Sequence, residues 1–254
     1  MCGRYVSIQK IDAIEKIFDV QAPGDMEQFQ SYNISPGQKA AVITNDKPKE
    51  LQLFSFGFTP FWADKPTYWF NARSEGDKNK DNDPNYKGSR AITEKPAFRK
   101  AIRSQRCLVV ADCFIEGTTK EKLSKPYVVY LKNRRPFAFA GIWDSWADKT
   151  TGELLNSFAI ITTTANTLLQ KLPHHRTPVI LNKEDENTWL DNETPVEEVT
   201  GLLNPYPSDL MNAYPISADI KNPRAEGLEL MTPMAQRVTK EFDYKIYEEM
   251  KFGS

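Results

Sequence analysis

Cys107-Leu108-Val109-Val110-Ala111-Asp112-Cys113-Phe114-Ile115-Glu116 is the stretch on which the fold class turns. Branched and aromatic side chains favour extended backbone, and so few polar positions predict a strand covered on both faces. Further β-rich runs occupy residues 40–44, 51–58, 127–131, 137–143 and 158–163, separated by turn formers and charges. Leu51, Leu53 and Phe54, then Phe56 and Phe58, alternate only in part, again as if both faces were covered. Helical spacing is confined to an early segment with Ile11, Ile14, Ile17 and Phe18, and to patches at 97–102, 167–172 and 196–203. Strands that succeed one another without regular crossover helices predict an α+β domain with mainly antiparallel pairing.

The chain of 254 residues suits one large domain or two small ones. Its 40% hydrophobic and 26% charged residues have the balance of a globular protein. A net charge of -1 provides no global basic field, so any nucleic-acid binding must come from a local cluster. Three cysteines cannot complete a disulfide framework and point to a reducing compartment, the cytoplasm. No apolar run is long enough to span a membrane, and the N-terminus lacks a signal peptide's apolar core. Residues 76–90 are almost devoid of apolar side chains and read as a long solvated loop or a flap over a site. After Pro233 the chain is charged, with Phe242, Tyr244, Ile246 and Tyr247 able to dock as a terminal helix or strand. Cys107 and Cys113 share one apolar run, which suits core packing better than metal ligation, and no zinc spacing or phosphate loop occurs.

Several residues can carry chemistry. Met1-Cys2-Gly3-Arg4-Tyr5 opens the chain, and a small second residue permits removal of Met1. Cys2 would then carry a free α-amine beside its thiol. Both titrate near neutrality, at about 7.7–8.0 and roughly 8.5, and together they convert an aldehyde to a five-membered thiazolidine. The alternative is a small buried hydrophobe in a first strand. Glu116 ends an apolar run, so it is either solvated at the strand's end or buried with a raised pKa. Both histidines, His174 and His175, lie where a helical patch meets a strand, one expected inward and one outward; an acid–base role and a surface pair are both open. Asn71-Ala72-Arg73 combines an amide with a bidentate phosphate fork. Pro60-Phe61-Trp62 offers aromatics for base stacking or for packing.

In their order along the chain these segments resemble the SRAP (SOS-response-associated peptidase) family. The resemblance rests on Met1-Cys2-Gly3-Arg4-Tyr5, Tyr32-Asn33-Ile34-Ser35-Pro36-Gly37, Gly57-Phe58-Thr59-Pro60-Phe61-Trp62 and Asn71-Ala72-Arg73-Ser74-Glu75. It continues through Lys95-Pro96-Ala97-Phe98-Arg99, Phe114-Ile115-Glu116, Phe139-Ala140-Gly141-Ile142-Trp143 and Thr162-Thr163-Thr164-Ala165-Asn166. It closes on His174-His175-Arg176-Thr177-Pro178-Val179 and Tyr214-Pro215-Ile216-Ser217. Coverage runs from residue 1 to about 230.

The resemblance implies a single domain over 1–232 with a β-barrel-like core, peripheral helices, a polar insertion at 76–93 and an extension at 233–254. It implies a monomer that binds single-stranded DNA containing abasic sites, uses no cofactor or metal, and associates with the nucleoid when DNA-bound. Cys2, freed by autocatalytic loss of Met1, would trap the abasic aldehyde as a reversible thiazolidine crosslink. Glu116 would shuttle protons, His174 would assist opening of the sugar, and Asn71 would orient the Cys2 end. Arg4 and Arg73 would hold phosphates, Pro36 and Trp62 would line the groove, and Thr163 would face the DNA. Three departures accompany the likeness. Gly117 replaces a Trp, so an aromatic wall is expected to be missing. Thr177 replaces a Met, and the 76–90 segment is longer than usual. A cysteine peptidase acting on other proteins and a non-covalent binder of single strands or modified bases are the competing functions.

Overall fold

The computed structural model describes residues 2–24, 26, 29–132 and 135–241. The Met1 end and the residues 242–247 expected to dock lie outside them. The strands are β1 (Tyr5–Ser7), β2 (Ser31–Ile34), β3 (Lys39–Thr44), β4 (Gln52–Phe56), β5 (Asn71–Arg73) and β6 (Arg106–Ala111). They continue with β7 (Cys113–Thr118), β8 (Lys122–Leu131), β9 (Phe137–Ala147), β10 (Leu154–Thr164), β11 (Arg176–Pro178) and β12 (Met211–Pro215). The α-helices are α1 (Ile11–Phe18), α2 (Ala101–Ser104), α3 (Thr167–Lys171), α4 (Asp185–Leu190) and α5 (Val196–Gly201).

Strands β10, β4, β3, β6 and β9 pair in sequence, and β9 pairs back to β10, which closes a five-stranded barrel. Strands β5 and β11 add to β10 outside that ring. A second sheet runs β12-β8-β7-β1-β2. Every strand ladder is antiparallel except those of β10 with β4 and β5. The fold is therefore α+β, as the strand-rich pattern predicts, with the barrel core that the resemblance implies.

Both faces of the barrel strands are covered, which is why their runs are apolar rather than alternating. Ala40, Val42, Cys107, Val109, Phe137 and Phe139 share a core with Tyr5, Phe114 and Val129 of the second sheet. Their neighbours Ala41, Ile43, Leu108, Val110, Ala138 and Ala140 pack instead with Ile14, Ile102, Trp189 and Val199 of the helices. The second sheet's outer face, with Val6, Ile115 and Tyr214, is sealed by Ile220, Leu230 and Met231.

The run at 107–115 is not one strand. It breaks at Asp112, and its halves enter different sheets. The buried Asp112 carboxylate accepts from the Ile8 amide at 2.7 Å and from Gln9 Nε2 at 3.0 Å, so the polar residue in the run ties the crossing to the end of β1. This break sends β7, and with it Glu116, alongside the N-terminus.

Past Pro233 the backbone continues along β12, with Met234 N donating to Pro215 O at 2.9 Å and Val238 N to Ala213 O at 2.8 Å. Among the described residues no helix is long and apolar enough to cross a membrane.

Candidate active site

The N-terminal segment reaches the site because β1 is clamped between β2 and β7. Ahead of the strand, Arg4 O accepts from Ile115 N at 2.9 Å, which draws Gly3 and Arg4 alongside the residue that precedes Glu116. Asn71, at the start of β5, donates from Nδ2 to Cys2 O at 3.0 Å, Phe70 O at 2.9 Å and Ile160 O at 3.4 Å. One amide thus ties the Cys2 peptide to the barrel. The Cys2 side chain is 1% exposed, and its Sγ donates to Arg4 O at 3.7 Å. Burial, reinforced by the Glu116 carboxylate, pushes the thiol well above its ordinary pKa, so it holds its proton at neutrality and needs a base to react.

Glu116 lies within β7, opposite Tyr127 of β8, rather than at a solvated strand end. It is 5% exposed, and burial raises its pKa to about 6. His174 follows the turn after α3, a short helix capped by the Asn166 side chain on Leu169 N. The His174 amide donates to Leu169 O at 3.0 Å. Its ring is 6% exposed and sets Nε2 at 3.4 Å from Glu116 Oε1. Burial lowers the imidazole to about 3, so the contact is a long one between a neutral ring and a carboxyl group rather than an ion pair.

Glu116 and His174 open onto one cavity of about 800 Å³, lined also by Gly3, Arg4, Pro36 and Arg73, whereas Cys2 and Asn71 sit behind that lining rather than in it. Arg4 is braced by the carbonyls of Ile220, Gly3 and Lys221 at 3.5, 3.3 and 3.3 Å. Arg73 donates to Asn79 O and, at 3.1 Å, to Asn82 Oδ1, so it also anchors the 76–90 segment, whose Asn82 joins the cavity wall. That segment is a mostly exposed run of turns, tied down further by Lys95–Asp77 at 2.7 Å and by Arg90 on Asn204 at 2.9 Å. Its expected end at residue 93 is overrun by a short 3-10 turn, Ala91–Thr93, that buries Ala91 and Ile92.

Two expected DNA contacts are not at the cavity. Thr163 is fully buried, and its Oγ1 donates to Glu75 Oε1 at 3.4 Å inside the barrel wall, so it cannot face DNA. Trp62 is 50% exposed and Phe61 51%, outside the cavity lining, with Lys100 Nζ 4.0 Å from the Phe61 ring centroid. Nor do the two histidines point opposite ways: both line the cavity, their rings stacked with centroids 5.3 Å apart and planes 14° apart.

Sequence reasoning missed a buried pair behind this wall. Arg176 Nη2 lies 2.8 Å from Glu75 Oε2, and Nη1 lies 3.2 Å from Oε1, both residues being essentially inaccessible. The signal was present: each charged residue follows a candidate site segment, at Asn71-Ala72-Arg73-Ser74-Glu75 and His174-His175-Arg176. The place beside Glu116 expected to lack an aromatic is occupied by the backbone of the β7–β8 hairpin, where the register shifts between Gly117 and Thr118. Thr177 is buried and packs in β11. Among the described residues no group of three or more His, Cys, Asp and Glu side chains could hold a metal ion.

The family model SRAP, SOS response associated peptidase, matches residues 1–223. The abasic site processing protein YoqW of Bacillus subtilis (strain 168) is 34% identical over 238 residues, spanning 91% of this chain and 99% of that protein. The abasic site processing protein HMCES of Xenopus tropicalis is 25% identical over 244 residues, covering 82% of this chain and 68% of the relative. The crystal structure of a protein from Bacteroides thetaiotaomicron superposes with a TM-score of 0.72 at 29% identity, over 86% of this chain and 93% of that one.

Proposed function

The chain belongs to the SRAP family, and from that membership we propose that it processes abasic sites by capturing them in single-stranded DNA as a reversible covalent adduct of Cys2. Loss of Met1, catalysed by the domain itself, frees the α-amine. The amine adds to C1′ of the opened sugar, and the carbinolamine loses its hydroxyl as water when Glu116 in its acid form supplies the proton. Sγ then adds to C1′ of the iminium and its proton passes to the Glu116 carboxylate, so aldehyde and aminothiol yield a thiazolidine and one water. Reversal runs through the same proton transfers and releases the aldehyde.

The observation that carries this reading is the sharing of one cavity by Glu116, His174 and the Gly3–Arg4 segment, with the Cys2 carbonyl held by Asn71. A carboxyl group with a pKa of about 6 has both forms available near neutrality, as a group that must give and then take a proton requires. The neutral His174 beside it can exchange protons with the sugar without first losing a charge. Arg4 and Arg73 at the rim suit phosphates, and a few such contacts suffice for one strand in a protein of net charge -1.

Intact mass spectrometry before and after incubation with a single-stranded oligonucleotide carrying one abasic site tests the proposal. The expected species lacks Met1 and gains the oligonucleotide minus one water; Cys2→Ala yields none. Equal adduct in both proteins rejects the mechanism. Hydrolysis of unrelated peptides without DNA favours a general peptidase, and salt-reversible binding indifferent to the lesion favours a non-covalent binder.

A further inference from the structure

The contacts of His175 favour one of its two neutral tautomers. Thr119 Oγ1 lies 2.8 Å from Pro173 O and 2.8 Å from His175 Nδ1. A carbonyl can only accept, so both contacts are hydrogen bonds only when the single hydroxyl proton of Thr119 lies on Pro173 O. His175 Nδ1 must then donate to Thr119 Oγ1, and in the neutral ring Nε2 is left bare. The Thr119 amide, donating to Pro173 O at 3.0 Å, fixes the hairpin that supplies this acceptor. The stacked rings therefore meet the protein through opposite nitrogens: His174 turns Nε2 toward Glu116, and His175 is pinned by Nδ1. His175 is half-buried and lines the cavity with Thr119.

We propose that His175 is a second catalytic imidazole, whose bare Nε2 takes the hydroxyl proton of the closed abasic sugar and so opens the ring, with Thr119 as the positioning residue that holds this tautomer. The inference rests on the proposed function and deepens it. In the step, the O1′–H proton moves to Nε2 and its electron pair forms the C1′=O1′ bond. The C1′–O4′ bond breaks, and O4′ takes the proton from the acid form of Glu116, which lines the same cavity. His175 returns its proton to solvent, and Glu116, a carboxylate after ring opening, takes one up from solvent before it protonates the carbinolamine hydroxyl. The groups facing His175 are consistent with a neutral ring. Burial, with the Arg176 and Arg73 guanidiniums, holds its pKa below the ordinary value, and its stacking partner His174 is itself neutral. The Arg176 charge is already matched by Glu75.

Two substrates separate ring opening from the rest of the reaction. One is a single-stranded oligonucleotide with a natural abasic site, which is mostly cyclic. The other bears an acyclic aldehyde that cannot close. His175→Phe keeps a flat ring for the stack and removes both nitrogens. It should crosslink the cyclic site on the order of 10²-fold more slowly and the acyclic aldehyde at the wild-type rate. Thr119→Val should lose roughly two- to fivefold on the cyclic site alone, since its ring can adopt either tautomer. Equal rates for wild type and His175→Phe on the cyclic site overturn the proposal. If His175→Phe loses both substrates together, Thr119→Val decides, and a wild-type rate there on the cyclic site also overturns it. A wild-type protein that reacts with neither aldehyde refutes the proposed function itself.

Discussion

A Cβ at Gly117 would stand 1.9 Å from the carbonyl oxygen of Lys122 and 2.2 Å from its carbonyl carbon. Backbone, not a movable side-chain tip, occupies the space beside Glu116. The register shift of the β7–β8 hairpin depends on this approach, and the hairpin beyond it supplies Thr118, Thr119, Lys122 and Ser124 to the cavity. Any residue but glycine must push two strands apart.

Gly117→Ala should therefore cost about 2–3 kcal/mol, roughly 5–10 °C in Tm for a chain of this size, measurable by denaturant and thermal unfolding. Adduct formation should fall with it, because the displaced hairpin carries both the Glu116 backbone and Thr119. A neutral Gly117→Ala would show that the hairpin yields without loss.

Glu116→Gln should make the protein more stable and less active. Burial raises this carboxyl from 4.5 to about 6, so the native state binds more protons than the unfolded chain between those values. Stability then falls as pH rises through that window, by about 2 kcal/mol once pH exceeds 6. The amide carries no such penalty. Urea unfolding should find the variant ahead by up to about 2 kcal/mol at pH 7.5 and level with wild type at pH 4, while its crosslinking rate loses the inflection near pH 6. Equal stability at both pH values would contradict the burial argument.

What could be read in the residues, and what could not, follows from where each side chain finds its partners. The barrel strands were legible because both faces are buried, so their composition alone marks them: β3, β6 and β9 coincide with apolar runs. Strands β1, β2, β5 and β11 were not assigned from periodicity. They are three or four residues long, and polar members such as Ser7, Asn33 and Arg176 gain their burial from distant segments. Asn33 donates to Asn222 O at 2.8 Å and Ala225 O at 3.0 Å, a pairing no local pattern announces. Glu116 stood out as a carboxylate in an apolar strand. Thr163 misled because a threonine run reads as polar and exposed, whereas Thr162, Thr163 and Thr164 are all buried in the barrel wall. The contact that pins His175 comes from Thr119, 56 residues away along the chain, and no local pattern announces it.

Arg176→Ala should be among the most destabilising substitutions in the barrel wall. Burial alone would raise the Glu75 pKa, but the Arg176 hydrogen bonds and charge outweigh it and leave Glu75 below its ordinary value. Removing the guanidinium strands a carboxylate that is 0% exposed, at a cost of about 3–5 kcal/mol near neutrality. The paired carboxylate stabilises the native state above its unfolded pKa and loses that contribution as pH falls, so the gap between variant and wild type should narrow toward pH 4. Unfolding curves at pH 7 and pH 4 check both parts. A loss under about 1 kcal/mol at pH 7 would mean that the site relaxes to admit water.

Arg73→Ala should separate DNA affinity from chemistry. Its guanidinium lines the cavity while also holding Asn79 and Asn82, so it joins the rim to the 76–90 segment. As a phosphate contact, its removal should weaken binding to single strands and make the slope of log affinity against log salt shallower by about 0.7. None of the groups proposed to bond the sugar changes, so the crosslinking rate at saturating DNA should stay within a few-fold of wild type. The loosened anchor should also speed proteolysis within 76–90, where most side chains are exposed and the other ties include Lys95–Asp77, Lys78–Glu94 and Arg90–Asn204. An unchanged salt slope with faster proteolysis would reduce Arg73 to a loop anchor. A lost rate at saturation would instead place its charge in the reaction, acting on the sugar's flanking phosphate while C1′ is attacked.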